Sequence, residues 1–469
     1  MPFFDRIDEL AALEDHWQRS GASFFIVWGR RRVGKTELLS HFAQGRRSFY
    51  YEATDTTERN QLHALSGELA VATGNPLYRQ APLPGWDAAL TALADFARSE
   101  PTLVVLDEFQ YLATRQRELP TLLNRWWRAA GSSLPLMLVL AGSEVSFFRD
   151  EVLAGRMYGR RTGQLALKPF DAASAAQFVA GYSPEDKVRT YAVCGGMPYY
   201  LQAFDDRVPL GENILRHILH RDGFLHEEAE LLLRQELADP LNHVAVLEAI
   251  ARGHTRTSQI ANATGLGSSQ ASQVLRTLER LDLVVQRRPV TAGPSSKKTS
   301  WAILDGFLNF TFRFVEPFRS RLRTRDEARR HLERTVLPQL DHFVSRPAWE
   351  AICLEHMKRE EQPARAGAWW GKVRTEARRT EELEVDGATV DADGRITALA
   401  SCKWTNAPLD RGEEVFLTRM EAHIPGADEV SRHYFFSRSG FDPSLIDLAA
   451  ADLDRYRLVT PEDLYGGRS

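Results

Sequence analysis

Short, nearly continuous apolar runs alternate with helical patterns through the first third of the chain. Runs at 24–28, 49–52, 103–106, 136–140 and 164–167 predict buried strands. Between them, stretches at 37–44, 58–72, 86–98 and 118–129 carry apolar residues at three- and four-residue spacing. A leading helix over 8–19 is predicted by Leu10, Leu13 and Trp17 at the same spacing. Strands with no polar face, separated by helices, imply a parallel sheet covered on both sides. From 171 to 236 the pattern is helical throughout, broken once by the glycines and proline of the segment 194–201. A helix at 241–251 is followed by the Gly-containing stretch 258–267, and a second helical run at 268–281 leads into a β-rich Leu283-Val284-Val285. That order is the layout of a winged helix-turn-helix. A helical stretch over 304–335 follows. The chain then ends in a small α/β unit, with a helix at 348–356 and strands at 384–390, 396–403 and 430–436.

Composition narrows this picture only a little. The 469 residues suggest about three domains, and 26% charged with 43% hydrophobic residues is ordinary for a soluble globular chain. No run approaches the roughly eighteen apolar residues of a membrane span. The acidic start lacks a basic then apolar leader, so no secretion signal and a cytoplasmic location are expected. Cys194, Cys353 and Cys402 are odd in number and far apart, which suggests reduced thiols and no structural zinc. A net charge of −4 argues against a surface that coats nucleic acid as a whole. Local basic clusters remain, at Arg287-Arg288 with Lys297-Lys298 and along Arg319, Arg321, Arg323, Arg325, Arg329 and Arg330. Either is a nucleic-acid contact or a solvated face.

The chemistry concentrates after the first strand. Gly29, Arg30, Arg31, Arg32, Val33, Gly34, Lys35 and Thr36 spell GxxxxGKT, followed by Glu37 in a helical pattern. Such a loop turns successive backbone N–H groups toward phosphate oxygens, and the helix N-terminus adds partial positive charge. Lys35 is expected to reach the β- and γ-phosphates, and the Thr36 hydroxyl to coordinate Mg2+. Asp107 and Glu108 close the third strand. Asp107 is expected to hold the metal through a water, and Glu108 to orient and deprotonate the attacking water. Ser143, after the fourth strand, is either a polar sensor of the γ-phosphate or a helix cap. Arg156, Arg160 and Arg161 are candidates for transition-state charge, in their own subunit or a neighbour's, or for a salt-bridged surface loop. The phosphate loop reads phosphates and leaves ATP and GTP unseparated.

These residues resemble those of the prokaryotic AAA-type ATPases of the archaeal ATPase family, related to the signal-transduction (STAND) class. The likeness is carried by Phe4, Arg6, Glu9 and Leu10, by the phosphate loop and acidic pair, and by Leu140-Ala141-Gly142-Ser143. It continues through Tyr158 to Gly163, Leu167-Lys168-Pro169-Phe170 and the Gly195-Gly196-x-Pro198-x-Tyr200 turn. Residues 255–288 and 301–315 are similar to the family's winged helix and the stretch after it. The C-terminal region resembles the DUF234 domain. The resemblance implies a multidomain α/β protein with a P-loop NTPase core over 1–170, a helical lid over 171–236, a winged helix-turn-helix over 237–303, a helical linker over 304–335 and a restriction-endonuclease-like domain over 336–469. It favours ATP over GTP, and implies an ATPase switch whose partners are ATP and ADP. Double-stranded DNA, through the winged helix and the C-terminal domain, a protein partner or self-association would carry the output, with no membrane involved. Ser268, Ser269, Gln270, Ser272 and Gln273 at the front of the second helix, with Arg276 and Arg280 further along, are available for base or phosphate contact, and the alternative for such a module is protein contact alone. A nucleotide-regulated DNA-binding regulator with little turnover, or a metal-dependent nuclease, is the alternative.

The DUF234 domain in turn resembles PD-(D/E)xK nucleases, which hold a divalent ion between carboxylates beside a lysine. Glu350 matches the helix acid, Asp386 the first strand acid and Lys403 the lysine. Ser401 stands where the second strand acid belongs. A neutral hydroxyl replaces a carboxylate poorly on a hard cation, so a degenerate nuclease remnant is expected, and Asp386 with Lys403 also reads as a plain ion pair.

Overall fold

The computed structural model describes residues 3–153, 159, 161–237, 239–293, 295–374, 380–427, 430 and 432–466. It divides into two compact units, 1–169 and 170–469.

In the first unit, five parallel strands, β1 (Ser23–Trp28), β2 (Ser48–Glu52), β3 (Thr102–Asp107), β4 (Leu136–Gly142) and β5 (Gly163–Ala166), lie in the order β2-β3-β4-β1-β5. β3 and β4 are buried along their whole length, as the apolar runs Leu103–Leu106 and Leu136–Ala141 require, and burial extends to Thr102 and Asp107 at the ends of β3. Successive side chains alternate between the faces. Phe24, Ile26, Val104, Leu106, Leu138 and Leu140 share one core with the helices Glu58–Thr73, Trp86–Phe96 and Leu119–Ala129. Phe25, Val27, Val105 and Val139 are equally buried on the alternate positions. Every strand expected from the apolar runs is present, within one or two residues of its expected ends. A short helix, Phe109–Arg115, went unforeseen because the acidic pair before it masks its apolar spacing.

The second unit begins with short helices. Its tightest point is the turn after the helix Pro184–Cys194, where the chain reverses at Gly195 (φ 61°). A β-carbon on Gly196 would lie 1.8 Å from the Phe170 carbonyl oxygen, and the Phe170 N–H donates to the Gly196 carbonyl. The helix Gly306–Phe314 packs against Pro184–Cys194 with Phe307, Phe310, Phe312 and Phe314 buried. The region read as a helical linker therefore contributes core side chains to this unit.

The helices Leu241–Ala251, Thr257–Thr264 and Ser268–Arg280 precede an antiparallel ribbon, β6 (Val284–Arg287) with β7 (Ser300–Ile303). Beyond it, β8 (Arg365–Arg374), β9 (Thr380–Val390), β10 (Ile396–Lys403), β11 (Arg432–Ser437) and β12 (Tyr456–Val459) form a mixed sheet in the order β12-β11-β10-β9-β8. β8 and β12 were not expected, since both are edge strands with mixed polarity and weak alternation. The loop joining β6 to β7 is pinned to this sheet. The Val290 N–H donates to the Ala368 carbonyl at 2.9 Å, and the Val290 side chain belongs to the C-terminal core.

Replacing Gly196 by alanine forces backbone apart from backbone, an overpacking cost of about 1–3 kcal/mol or more. Gly196→Ala is expected to lower the thermal midpoint of the second unit, read by calorimetry. An unchanged midpoint would show that this turn has slack.

Candidate nucleotide site and C-terminal ion cluster

The strand order decides the geometry of the acidic pair. β4 lies between β1 and β3, with Trp28 beside Gly142 and Leu106 beside Leu140. The phosphate loop leaving β1, the acids ending β3 and Ser143 leaving β4 thus meet at one edge of the sheet.

In the loop, Arg32 (φ 68°) and Gly34 (φ 91°) adopt left-handed conformations, the kind of local twist that makes backbone N–H groups converge on an anion. The helix Lys35–Ala43 starts directly after it. The Lys35 ammonium is buried and donates to the carbonyls of Gly29 at 3.0 Å and Arg30 at 3.1 Å. Arg30 and Val33 are buried, and the Val33 carbonyl accepts from the Arg6 guanidinium at 3.0 Å. Arg31 donates to the Tyr111 hydroxyl at 2.7 Å.

Asp107 is fully buried. Its Oδ2 accepts from the Thr36 hydroxyl at 2.9 Å and the Tyr50 hydroxyl at 2.6 Å, and its Oδ1 from the Glu108 N–H at 2.9 Å. Burial and then the Asp107 charge push the Tyr50 phenol far up, so it remains a donor. Glu108 sits at φ 50°. Its Oε2 accepts from the Ser143 hydroxyl at 2.6 Å and from the Gln110 amide. Ser143 does not cap the following helix, whose N-cap is Glu144. Nearby, burial raises the Glu52 carboxyl, and Asp107, Glu108 and Glu37 add to the rise. The edge thus concentrates negative charge beside the loop. Thr36 and Asp107 are hard oxygen donors in contact with each other, and this donor set fits a magnesium ion.

Lys35, Thr36, Asp107, Glu108 and Ser143 are therefore brought together. Arg156 and Arg160 lie outside the described residues. Arg161 donates to the Leu153 carbonyl at 2.9 Å. Tyr50 and Gln110 were missed. Gln110 follows the acidic pair closely enough to be suspected, but Tyr50 depends on β2 lying beside β3, which no local pattern reveals.

In the C-terminal sheet, Asp386 Oδ2 accepts from the Lys403 ammonium and from the Cys402 N–H, each at 2.9 Å. Glu350 is joined to them through an arginine. Arg346 reaches Glu350 at 2.7 Å, Glu384 at 3.2 Å and Asp386 at 3.5 Å. The Ser401 hydroxyl donates to Glu413 at 2.6 Å, and Glu413 stands 3.9 Å from Lys403. A guanidinium occupies the convergence of the carboxylates that a divalent ion would need. Among the described residues, no group of three or more His, Cys, Asp or Glu side chains is placed to hold a metal. The remnant does not fit the nuclease metal as it stands. Three of the six arginines of the second basic cluster are paired, Arg319 with Glu316 and Glu230, and Arg325 and Arg329 with Glu212.

Comparison with known proteins agrees with this arrangement. Residues 3–204 match an ATPase domain found predominantly in Archaea, 242–288 the IclR helix-turn-helix domain, and 311–419 DUF234, a group of archaeal and bacterial proteins of unknown function. An uncharacterized protein of Methanocaldococcus jannaschii is 28% identical over 320 residues, spanning 67% of this chain and 69% of its own. An uncharacterized ATP-binding protein of the same organism is 42% identical over 45 residues, spanning 10% of this chain and 76% of its own. Among solved structures, a Walker-type ATPase of Pyrococcus abyssi shares the fold, with a TM-score of 0.52 and 21% identity over 66% of this chain and 96% of that one. Among the described residues, no helix is long and apolar enough to cross a membrane.

Burial pushes the Glu350 carboxyl from the usual 4.5 up to about 7, with Arg346 and Arg287 offsetting part of the rise. The folded chain therefore binds more protons at Glu350 than the unfolded chain between those values, so stability falls as pH rises through that window. Glu350→Gln is expected to flatten the loss of thermal stability from about pH 5 to about pH 7. A slope identical to wild type would show that this carboxyl titrates normally.

Proposed function

We propose that this chain, whose residues 3–204 match an ATPase domain found predominantly in Archaea and whose residues 311–419 match DUF234, is a magnesium-dependent ATPase switch whose nucleotide state controls DNA binding by its helix-turn-helix. The observation that carries the catalytic part is the linked set Thr36–Asp107 and Glu108–Ser143 at the edge of the sheet.

The role of each residue follows from its place. The N–H groups of the loop and the start of the helix Lys35–Ala43 would receive the phosphates. Lys35, already turned back over the loop carbonyls, needs only to exchange those acceptors for β- and γ-phosphate oxygens. Thr36 and Asp107 would hold the magnesium ion, whose contribution is to neutralise charge on the phosphates. Glu108 would orient the attacking water and take its proton. Ser143 and Gln110 hold one Glu108 oxygen, and the other oxygen is the one to face that water. Arg161, with Arg156 and Arg160, is proposed to supply charge to the transition state. ATP, rather than GTP, is proposed on the likeness to the ATPase relatives.

The DNA part is supported by the helix Ser268–Arg280. It buries Ala271, Val274, Leu275 and Leu278, and turns Ser269, Gln270, Gln273, Arg276 and Arg280 to the surface. Amides, hydroxyls and guanidinium groups on one helix face suit base edges and phosphates in a major groove. Val290 holds the wing against the C-terminal sheet, so this helix, and not the wing tip, is the proposed contact. The carboxylate–arginine cluster supports no cleavage reaction.

Phosphate release with ATP and magnesium, measured with and without double-stranded DNA, tests both parts. Glu108→Gln should lower release by about 10²–10⁴-fold while ATP still binds, and DNA should change the wild-type rate. Full activity in Glu108→Gln would remove Glu108 as the base. A rate indifferent to DNA would move the output to a protein partner. Arg276→Ala should weaken DNA binding, and a loss that disappears at high salt would mark a phosphate contact.

A further inference from the structure

Within the second unit, a cavity of about 620 Å³ opens between the helix-turn-helix, the helix Gly306–Phe314 and the C-terminal sheet. Its volume lies in the range of small-molecule sites. Five arginines line it: Arg252 and Arg256 from the helix-turn-helix, Arg287 from β6, Arg313 from the buried phenylalanine helix, and Arg346 from the segment before Glu350. Arginines converging from separate elements are not a solvated face of one helix. Among the described residues, the acids on the lining are Glu350, Glu382 and Glu384, three against five arginines.

The carboxylates are already engaged. Arg256 meets Glu382 at 2.6 Å, while Arg346 takes Glu350 and Glu384, and Arg287 stands 3.8 Å from Glu350. Arg252 pairs outside the cavity with Glu248 at 3.3 Å. Arg313 is different. It is half-buried, its guanidinium donates only to the Gln339 side chain at 3.3 Å, and it has no carboxylate partner among the described residues. A partly buried cation with a neutral partner leaves attraction for an anion. Trp370, on β8, also lines the cavity. It is half-buried, and among the described residues it stacks on no other ring and no cation.

We infer that this cavity is a second nucleotide site, separate from the phosphate loop. Guanidinium groups match phosphate oxygens in fork geometry, and a free indole face suits a base. The phosphate would be held by Arg313 together with Arg252, and the base would lie on Trp370. A ligand so placed touches both the helix-turn-helix and the C-terminal sheet, and would set how firmly those parts are joined. The site does not depend on the proposed ATPase or DNA activities.

Equilibrium dialysis of the full chain with ATP tests it. Wild type should bind two ATP per chain and Lys35→Ala one. Lys35→Ala combined with Arg313→Ala should lose the remaining one, with an affinity at least about tenfold weaker. Should Arg313→Ala fold poorly, Gln339→Glu neutralises the same guanidinium by an isosteric change and should produce the same loss. Arg313→Ala alone should leave Glu108-dependent phosphate release intact, which separates this site from the catalytic one. One ATP per wild-type chain and none for Lys35→Ala would overturn the inference. Inorganic triphosphate binding Lys35→Ala as well as ATP does would overturn the role of Trp370. Oligothymidylate displacing ATP from Lys35→Ala at far lower concentration would reassign the cavity to a nucleic-acid strand.

Discussion

A carboxylate withdrawn completely from water has to be supplied with donors, and the first unit is arranged around doing so for Asp107. Thr36 comes from the helix after the phosphate loop, Tyr50 from a neighbouring strand, and the Glu108 N–H from the chain itself. Losing one donor to a buried charge costs on the order of 1–3 kcal/mol or more, so the three elements are held in mutual register by the same carboxylate that would face a metal. The parallel sheet makes this feasible. Its strands all end at one edge, and helices cover both faces, so polar groups can gather there without breaking the core.

The second unit solves a related problem by another route. Glu350, Asp386 and Glu384 crowd one patch, and their charge is met by Arg346 and Lys403 from the protein itself. Glu350 and Asp386, the acids that the sequence likened to a nuclease metal site, are met by the Arg346 guanidinium. Ser401, the departure visible in the sequence, is tied to Glu413 on a helix, an acid that lies outside the strand motif. Arg287 extends the network from β6, and Arg256 adds a separate pair with Glu382. These ion pairs link the helix-turn-helix to the C-terminal sheet.

Much of this was legible before any coordinates. The phosphate loop carries its own chemistry in eight consecutive residues, and β3 and β4 are apolar enough to be read as buried strands. The helix-turn-helix was legible from its helical runs and a glycine turn. β8 and β12 were not, because an edge strand meets a neighbour on one side only and need not alternate strictly. Tyr50 and Glu413 were equally hidden. Each acts across a contact between segments far apart in the chain, where spacing along the sequence carries no signal.

The division has a simple physical cause. Local sequence determined the strands, the helices, the phosphate loop and the acidic pair, since each depends on backbone preferences and burial over a few neighbouring residues. Tertiary structure decided that β4 lies between β1 and β3, that Ser143 bonds to Glu108, that Arg346 fills the carboxylate cluster and that Arg313 faces a cavity. Those outcomes depend on strand order and on long-range charge pairing, which come into being only when distant segments pack.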